Sequence, residues 1–175
     1  LNMVPVFAVY STFLQRCYDQ LLHDAALQKL KIIIAIDRAG FVGEDGEAHQ
    51  GIYDVAFLNS IPDITVYSPS TYDEMKQFFA DALYRDKNVV AVRYPRGSEG
   101  KIPADFESSF GSYDIYGEEN ARTVLVVYGR LFSYACVAAG ILRGKGINTR
   151  ILKLNRIKPI DKAAVEAVMG SDRIF

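Results

Sequence analysis

The sequence predicts an α/β fold built on a parallel β-sheet, and two observations favour it. Short continuous apolar runs alternate along the chain with segments whose apolar residues recur at helical spacing. Several of these runs are rich in β-branched residues without alternating polar positions, which is typical of strands that a parallel sheet buries on both faces. Because parallel strands need crossover connections, the alternation indicates βαβ units with right-handed crossovers.

The first half of the chain contains the clearest strands and helices. Its predicted strands are residues 4 to 10, 31 to 37, 64 to 68 and 89 to 94. The helix after the first strand has one apolar face, formed by positions 14, 17, 18, 21, 22, 25 and 26. A second helix begins at Thr71, which forms a capping box with Glu74. Its predicted buried face consists of Met75, Phe78, Phe79, Ala82 and Leu83.

The second half is predicted to be a separate, smaller unit. Residues 1 to 97 form the first domain, residues 98 to 120 a polar linker with one candidate strand, FGSYDIYG, and residues 121 to 175 the second domain. The second unit has a strand at 123 to 129, a helix that ends near Gly144 and Gly146, a strand at 147 to 154 and a helix capped by Asp161. The first of these helices bears Tyr134, Val137, Ala138, Ile141 and Leu142. We expect one to three strands here, too few to close a full sheet, which indicates a fragment.

Composition narrows the class of protein. Half of the 175 residues are hydrophobic, 23% are charged and the net charge is -1. This is typical of a soluble globular protein that buries a core without disulfides or structural metals. The balanced charge favours neither nucleic acid nor an anionic membrane as a partner. The sequence has no apolar run of membrane-spanning length and no signal peptide. We interpret Cys17 and Cys136 as small core residues in a reducing compartment.

Polar residues cluster where the predicted strands end, the edge at which open α/β sheets bind ligands. Tyr10 lies at the end of the first strand, Arg38 follows the second, and Arg93 and Arg96 both lie at the end of the fourth, together with several hydroxyl groups. A guanidinium group makes paired, charge-assisted hydrogen bonds, so this edge is predicted to bind a small phosphate or carboxylate. An alternative is that Arg38 and Arg93 simply pair with nearby aspartates. Arg96 is the least explained by packing.

The loop of residues 38 to 51 is longer than an ordinary connection, which points to binding or catalysis. His49, near Asp45 and Gln50, has the surroundings of a general acid/base, although a loop histidine can also be merely solvated. His23 is interpreted as a solvated helix residue. The segment GEDGE lacks the ligand spacing of a calcium site, and no metal site is predicted. Nucleotide-binding, hydrolase and zinc motifs are absent from the sequence.

Four segments carry a family resemblance, namely YSTFLQRCYDQLLHD, AIDRAGFVGEDGEAHQG, SIPDITVYSPS and AVRYPRG. In order and spacing they resemble the 1-deoxy-D-xylulose-5-phosphate synthases, thiamine-diphosphate enzymes of the transketolase superfamily. The resemblance implies that residues 1 to 97 are an N-terminally truncated pyrimidine-binding domain. It also implies that residues 121 to 175 are the first half of a transketolase C-terminal domain. The implied reaction joins pyruvate and glyceraldehyde 3-phosphate into 1-deoxy-D-xylulose 5-phosphate and CO₂, a precursor of isoprenoids, thiamine and pyridoxal phosphate.

The resemblance also implies residue roles. Phe13 would stack on the aminopyrimidine ring of the cofactor, with Arg16 beside it. Asp45 and His49 would be catalytic residues that face the reacting substrate.

Tyr10, Arg38 and Arg96 would hold the phosphate of glyceraldehyde 3-phosphate, in keeping with the predicted anion site. The implied cofactors of the full-length protein are thiamine diphosphate and Mg²⁺, and its implied assembly is a cytoplasmic, bacterial-type homodimer, with a plastid origin left open.

Two features of the family are missing from the sequence. The glutamate that activates the pyrimidine would lie before residue 1, and no GDG…N motif for Mg²⁺ and diphosphate occurs. We therefore expect the chain by itself to be inactive. Two alternatives stay open: another transketolase-like ketoacid or ketol-transfer enzyme, and a non-catalytic module for anion binding or subunit interaction.

Overall fold

The computed structural model describes residues 3–175, in which strands and helices alternate as predicted. The described strands are β1 (Val6–Tyr10), β2 (Ile33–Asp37), β3 (Thr65–Tyr67), β4 (Val90–Arg93), β5 (Tyr113–Gly117), β6 (Thr123–Tyr128), β7 (Thr149–Leu154), β8 (Arg156–Lys158) and β9 (Arg173–Ile174). The described α-helices are α1 (Ser11–Leu14), α2 (Asp54–Ser60), α3 (Tyr72–Tyr84), α4 (Leu131–Gly144) and α5 (Lys162–Glu166). None of the helices within residues 3–175 is long and apolar enough to cross a membrane.

The first sheet has the strand order β1-β2-β4-β3-β8. Strands β1 to β4 are mutually parallel, so the predicted parallel sheet is confirmed. All four residues of β4 and the first four of β2 are buried, as their β-branched runs indicated. The carboxyl ends of β1, β2 and β4 therefore meet at one edge of the sheet, and this edge positions the candidate site.

The second sheet has the order β5-β7-β6-β9, in which β5 is antiparallel to β7 and the other pairs are parallel. Strand β5 confirms the candidate strand within the predicted linker. Residues 121 to 175 contribute four strands, so the expectation of one to three was wrong. One of them, β8, leaves its own unit and pairs antiparallel with β3 of the first sheet. Such short polar strands have little apolar pattern, and tertiary pairing defines them.

Helix α3 follows the predicted signals at its start and along most of its buried face. Thr71 accepts a hydrogen bond of 3.1 Å from the backbone N–H of Glu74, which confirms the cap of α3. Phe78 and Ala82 are fully buried, but Leu83 is 38% exposed, so the predicted buried face was wrong at that position.

The helical segment after β1 has the predicted apolar face, with Leu14, Leu21 and Ala25 buried. It is not one regular α-helix, because α1 continues into a 3₁₀ turn and a π-helical segment, Gln20–Ala26.

Helix α4 ends at Gly144 as predicted, but its apolar positions do not all face the core. Tyr134, Val137 and Ile141 are about 60% exposed, whereas Phe132 and Ala139 are buried. The helix is apolar on both sides, so periodicity alone did not define the buried face.

The two units share one hydrophobic core, in which Ile36 of β2 and Leu152 of β7 belong to the same cluster. Lys158 of β8 also joins them, because its ammonium group donates to the carbonyl oxygens of Leu58 (3.1 Å) and Asn59 (2.7 Å) at the end of α2. Helix α2 was not predicted from the sequence. It is short and has no side-chain N-cap, so local signals for it are weak.

Cys17 and Cys136 are free thiols that are partly buried, and each packs against a core cluster, at its edge rather than fully inside it. Burial raises the pKa of the Cys136 thiol to about 11, and the nearby charge of Asp105 acts in the same direction. Cys136 is therefore protonated at neutral pH.

Candidate active site at the strand ends

Two of the predicted anion-binding arginines converge on one carboxylate. Arg38, directly after β2, donates from Nε to Asp45 Oδ2 at 2.8 Å and from Nη1 to Asp37 Oδ2 at 2.7 Å. Arg96, three residues after β4, pairs through Nη1 with Asp45 Oδ1 and through Nη2 with Glu44 Oε2 at 3.2 Å. In this arrangement the Asp45 carboxylate bridges both guanidinium groups.

Arg38 lies against a cluster of aromatic rings. The guanidinium carbon of Arg38 is 3.7 Å from the ring centroid of Tyr10, a cation–π distance. Tyr10 stacks with Phe13 at 5.9 Å, and His49 stands with its edge toward Phe13 at 5.3 Å and toward Tyr10 at 6.4 Å. The tertiary structure thus joins the ends of β1 and β2 to the loop after β2, as the sequence predicted.

Two buried polar atoms of this cluster lack a hydrogen-bond partner among the described residues, namely His49 Nδ1 and Ser11 Oγ. A buried polar group without a partner is costly, and a bound ligand can remove that cost. The His49 ring therefore has a buried nitrogen that no described residue satisfies.

The loop of residues 38 to 51 is held in a fixed shape by its own ends. Gly40 and Gly51 exchange two backbone hydrogen bonds of 2.7 and 2.8 Å. The Gln50 side chain accepts from the N–H of Val42 (2.7 Å) and donates to the carbonyl oxygens of Val42 (2.8 Å) and Gly46 (2.7 Å). Sequence reasoning noted Gln50 only as a neighbour of His49 and missed this role, because only the fold brings the amide to three backbone groups.

The base of the loop is a site of backbone strain. Arg38 has φ +58°, a left-handed conformation that is unusual for a residue with a side chain. Gly51 packs so closely that a Cβ there would lie 2.8 Å from Ser11 Cβ and 2.9 Å from Ala39 Cα. Strain of this kind persists where the surroundings fix it, often at functional sites, and here it aims Arg38 along the sheet edge.

Arg93 does not belong to the anion site. It is buried and pairs with Asp54 through Nε (2.8 Å) and Nη2 (3.2 Å), while Nη1 donates to Ser68 Oγ at 3.3 Å. The alternative of pairing with an aspartate is therefore confirmed for Arg93. For Arg38 it is also correct, because both partners of that residue are aspartates.

The remaining predicted residues lie at the margin of the cluster. Phe13 is 42% exposed, so much of its ring is free to contact a ligand. Arg16 is exposed on the 3₁₀ turn and forms no ion pair within the described part of the chain. His23 is exposed and pairs with Asp19 at 2.9 Å, as expected of a solvated helix residue.

One cavity lies beside the cluster, not in it. It has a volume of about 590 Å³ and is bounded by Gly51, Arg93, Tyr128 and Arg130 among others. A smaller cavity of about 340 Å³ lies near the start of α3. Neither is lined by any of the seven predicted site residues of the described chain. The charged and aromatic groups converge at the strand ends, outside both cavities.

The sheet order, the strand-end location of the cluster and its paired arginines define the class: an α/β domain whose parallel strands end in paired arginines beside aromatic rings. Residues 2–100 match the family described as "Transketolase, pyrimidine binding domain". The chain belongs to this family.

Curated relatives extend the similarity beyond this domain. The 1-deoxy-D-xylulose-5-phosphate synthase of Shouchella clausii (strain KSM-K16) is 40% identical over 170 residues, which is 95% of this chain and 27% of that protein. The synthase of Caldanaerobacter subterraneus subsp. tengcongensis is 45% identical over 166 residues, or 92% of this chain and 26% of that protein. The chain thus spans only about a quarter of the length of these relatives.

Solved structures support the fold. A structure described as "Split gene transketolase, inactive beta4 tetramer" has a TM-score of 0.83 at 23% identity and covers 98% of this chain and 56% of that one. A transketolase from Pichia stipitis, in complex with sedoheptulose 7-phosphate, has a TM-score of 0.81 at 20% identity, covering 95% of this chain and 25% of that one.

Proposed function

We propose that this chain is part of a thiamine-diphosphate-dependent synthase. The reaction condenses pyruvate with glyceraldehyde 3-phosphate and takes up one proton, giving 1-deoxy-D-xylulose 5-phosphate and CO₂. The observation that carries the proposal is the convergence of Arg38 and Arg96 beside Tyr10 and His49. It occurs in a chain that is 40–45% identical to proteins of that name over more than 90% of its length.

Arg38 and Arg96 are suited to the phosphate group of the aldehyde substrate. Both already share a carboxylate, so their spacing matches a small anion with two or more oxygens. A phosphate offers more acceptor oxygens and more charge than the Asp45 side chain. Substrate binding would therefore displace Asp45 from the arginines and release it toward the reacting carbon.

His49 is suited to proton transfer at the aldehyde. When the new carbon–carbon bond forms, the aldehyde oxygen gains negative charge and must be protonated. The His49 ring stands beside Tyr10 and Phe13 at the strand ends and is suited to hydrogen-bond to this oxygen or to pass the proton to it. This proton is the one that the overall reaction takes up.

The residues of the chain fit one part of the cofactor. The exposed face of Phe13 suits a flat heteroaromatic ring, and the unpartnered Ser11 Oγ lies at the base of the same strand end. When bound, thiamine diphosphate would supply the carbon centre that activates pyruvate. No group of three or more His, Cys, Asp or Glu side chains within residues 3–175 could hold a metal ion. We infer that Mg²⁺ and the diphosphate are held elsewhere in the parent protein.

A chimeric enzyme tests the proposal. Residues 3–175 would replace the matching segment of the Clostridium kluyveri synthase, to which the chain is 43% identical over 172 residues. We expect 1-deoxy-D-xylulose 5-phosphate from pyruvate and glyceraldehyde 3-phosphate, and loss of turnover in a His49→Ala variant of the chimera. A chimera that folds but transfers a two-carbon ketol unit instead would support the alternative enzyme class.

The chain by itself is proposed to be inactive but able to bind phosphate. Titration of the isolated chain with thiamine diphosphate and with glyceraldehyde 3-phosphate would separate the remaining alternative. A folded chimera without any turnover, combined with anion binding by the chain, would indicate a non-catalytic binding module.

A further inference from the structure

The strand-end segment that carries Arg96 has little support of its own. Strand β4 ends at Arg93, and residues 95 to 102 make no backbone–backbone hydrogen bond within the described chain. Gly97 has φ +109°, a conformation that favours glycine. The Arg96 side chain contacts only loop carboxylates, which a bound phosphate would displace. Further along the segment, Glu99 accepts a hydrogen bond of 3.0 Å from the backbone N–H of Tyr72 at the start of α3. Nearer to Arg96, a contact that a bound phosphate would not displace has to come from another part of the chain.

The second unit supplies such a contact. Nη1 of Arg130, the residue before α4, donates a hydrogen bond of 3.1 Å to the backbone carbonyl oxygen of Arg96. The same Nη1 lies 3.4 Å from the position that a Cβ would occupy at Gly97. The Arg130 guanidinium group thus lies next to the Arg96–Gly97 peptide and donates to its carbonyl oxygen.

Arg130 is itself held against the first unit. The carbonyl oxygen of the preceding Gly129 accepts a hydrogen bond of 2.8 Å from Ser70 Oγ, in the turn between β3 and α3. A Cβ at Gly129 would lie 2.7 Å from Ser68 Oγ, so the two units can approach this closely only because residue 129 is glycine. The Arg130 backbone is therefore fixed relative to the strand ends.

A buried ion cluster fixes the same turn from the other side. Lys153 of β7 is fully buried and pairs with Glu74 Oε1 at 2.7 Å and with Asp114 Oδ2 at 3.2 Å. The other oxygen of Glu74 accepts from the N–H of Ser70 at 2.8 Å. Contacts thus run without a gap from the interior of the second unit, through Ser70 and Gly129, to Arg130.

We propose that Arg130 is a positioning residue, through which the second unit holds Arg96 in the geometry that binds the substrate phosphate. The binding of a substrate phosphate by Arg96 rests on the proposed function. The positioning of the Arg96 segment by Arg130 does not depend on that function. It assigns a role to the second unit, which otherwise contributes no residue to the predicted site. Arg130 acts on Arg96 and does not itself contact the substrate.

The test uses the isolated ¹⁵N-labelled chain and inorganic phosphate as the probe. Four proteins are compared: the wild type, Arg130→Met, Arg130→Lys, which keeps a donor and the charge, and Arg122→Ala. The last is a matched control, because Arg122 forms its exposed pair with Asp172 in the same unit. Two quantities are measured by NMR: the backbone order parameter of Gly97 without ligand, and the dissociation constant for phosphate.

We expect Arg130→Met to lower the order parameter of Gly97 and to weaken phosphate binding by about three- to tenfold, the effect of losing one hydrogen bond. Arg130→Lys should recover part of both effects, and Arg122→Ala should show neither. An unchanged order parameter in Arg130→Met overturns the inference, even if phosphate binds more weakly, since a distant charge alone would then account for the affinity.

Failure of the proposed function would look different. The Gly97 order parameter could fall in Arg130→Met while none of the four proteins binds phosphate. That result would support the positioning contact and contradict the phosphate site. In the chimera, Arg130→Met should raise the KM for glyceraldehyde 3-phosphate but not for unphosphorylated glyceraldehyde, an outcome that a general loss of stability would not produce.

Discussion

Asp45 accepts a hydrogen bond of 2.8 Å from Nε of Arg38, and its other oxygen pairs with Arg96. Asp45, which is predicted to be catalytic, thus forms ion pairs with both arginines that are predicted to bind phosphate. Partial desolvation of Arg38 opposes its charge, but the hydrogen bond that Arg38 donates to Asp45 and the charge of Asp37 outweigh it and raise the pKa of Arg38. Before substrate binds, the site is therefore a closed ion-pair network.

Removing the Asp45 charge should strengthen anion binding by the isolated chain. In Asp45→Asn, phosphate no longer competes with an intramolecular carboxylate, and we expect its dissociation constant to fall by about fivefold, near 1 kcal/mol. NMR titration with inorganic phosphate measures this. Asp24→Asn, an exposed change on the helical segment after β1, is the control. Weaker binding in Asp45→Asn would contradict the competition, and in the chimera the same change should lower turnover.

Gly51 should tolerate no side chain. Gly51→Ala places a Cβ against the backbone of Arg38 and Ala39 and against Ser11, so we expect a loss of about 1–3 kcal/mol in the free energy of unfolding and weaker phosphate binding. Urea denaturation provides the first measurement. Gly140→Ala in α4 is the matched control, because its Cβ meets open space, and it should stabilise the protein by about 0.5–1 kcal/mol. Equal stability of the two variants would refute the close approach.

Substitution by lysine should affect stability at Arg93 but phosphate binding at Arg96. Arg93→Lys cannot reproduce the two-pronged contact with buried Asp54, and we expect it to cost about 2–4 kcal/mol of stability. Arg96→Lys, at an exposed ion pair, should change stability by less than about 0.5 kcal/mol but weaken phosphate binding. Denaturation and phosphate titration on both variants check this. A stability loss at Arg96 as large as at Arg93 would remove the distinction between structural and binding arginines.

The ion cluster between the units should make stability depend on acid pH. Burial by itself raises the pKa of Asp114, but hydrogen bonds from Ser109 and Asn155 and the charge of Lys153 hold it below its usual value. A carboxyl whose pKa is lower in the folded state stabilises the protein above its unfolded pKa, near 3.9, and loses that stabilisation as pH falls through the folded value.

Asp114→Asn should therefore cost about 1–3 kcal/mol at neutral pH, and its difference from the wild type should shrink as the pH falls below about 4. Urea denaturation across this range measures the difference. Asp105→Asn, whose partner is the exposed hydroxyl of Tyr116, is the control. A difference that stays constant with pH would show that the charge of Asp114 does not stabilise the cluster.

Much of the fold could be predicted because it is recorded in local patterns. The β-branched runs identified the four parallel strands, and the Thr71 cap and Gly144 marked helix ends correctly. Helix α2 and strand β8 were missed, since each is short and is defined by contacts distant in sequence. Strand β8 pairs antiparallel with β3, and Lys158 in β8 donates a hydrogen bond to the end of α2.

The sequence by itself determined which residues gather at the site, because the ends of parallel strands must meet at one edge of a sheet. Tyr10, Arg38, Asp45, His49 and Arg96 did come together. Only the tertiary structure decided the pairing of these side chains and of their neighbours. Asp45 bridges two arginines, Arg93 forms a buried ion pair with Asp54, and Arg130 from the second unit donates a hydrogen bond to the backbone of Arg96. A hydrogen bond depends on distances of a few tenths of an ångström between residues far apart in sequence, and no local pattern encodes such distances.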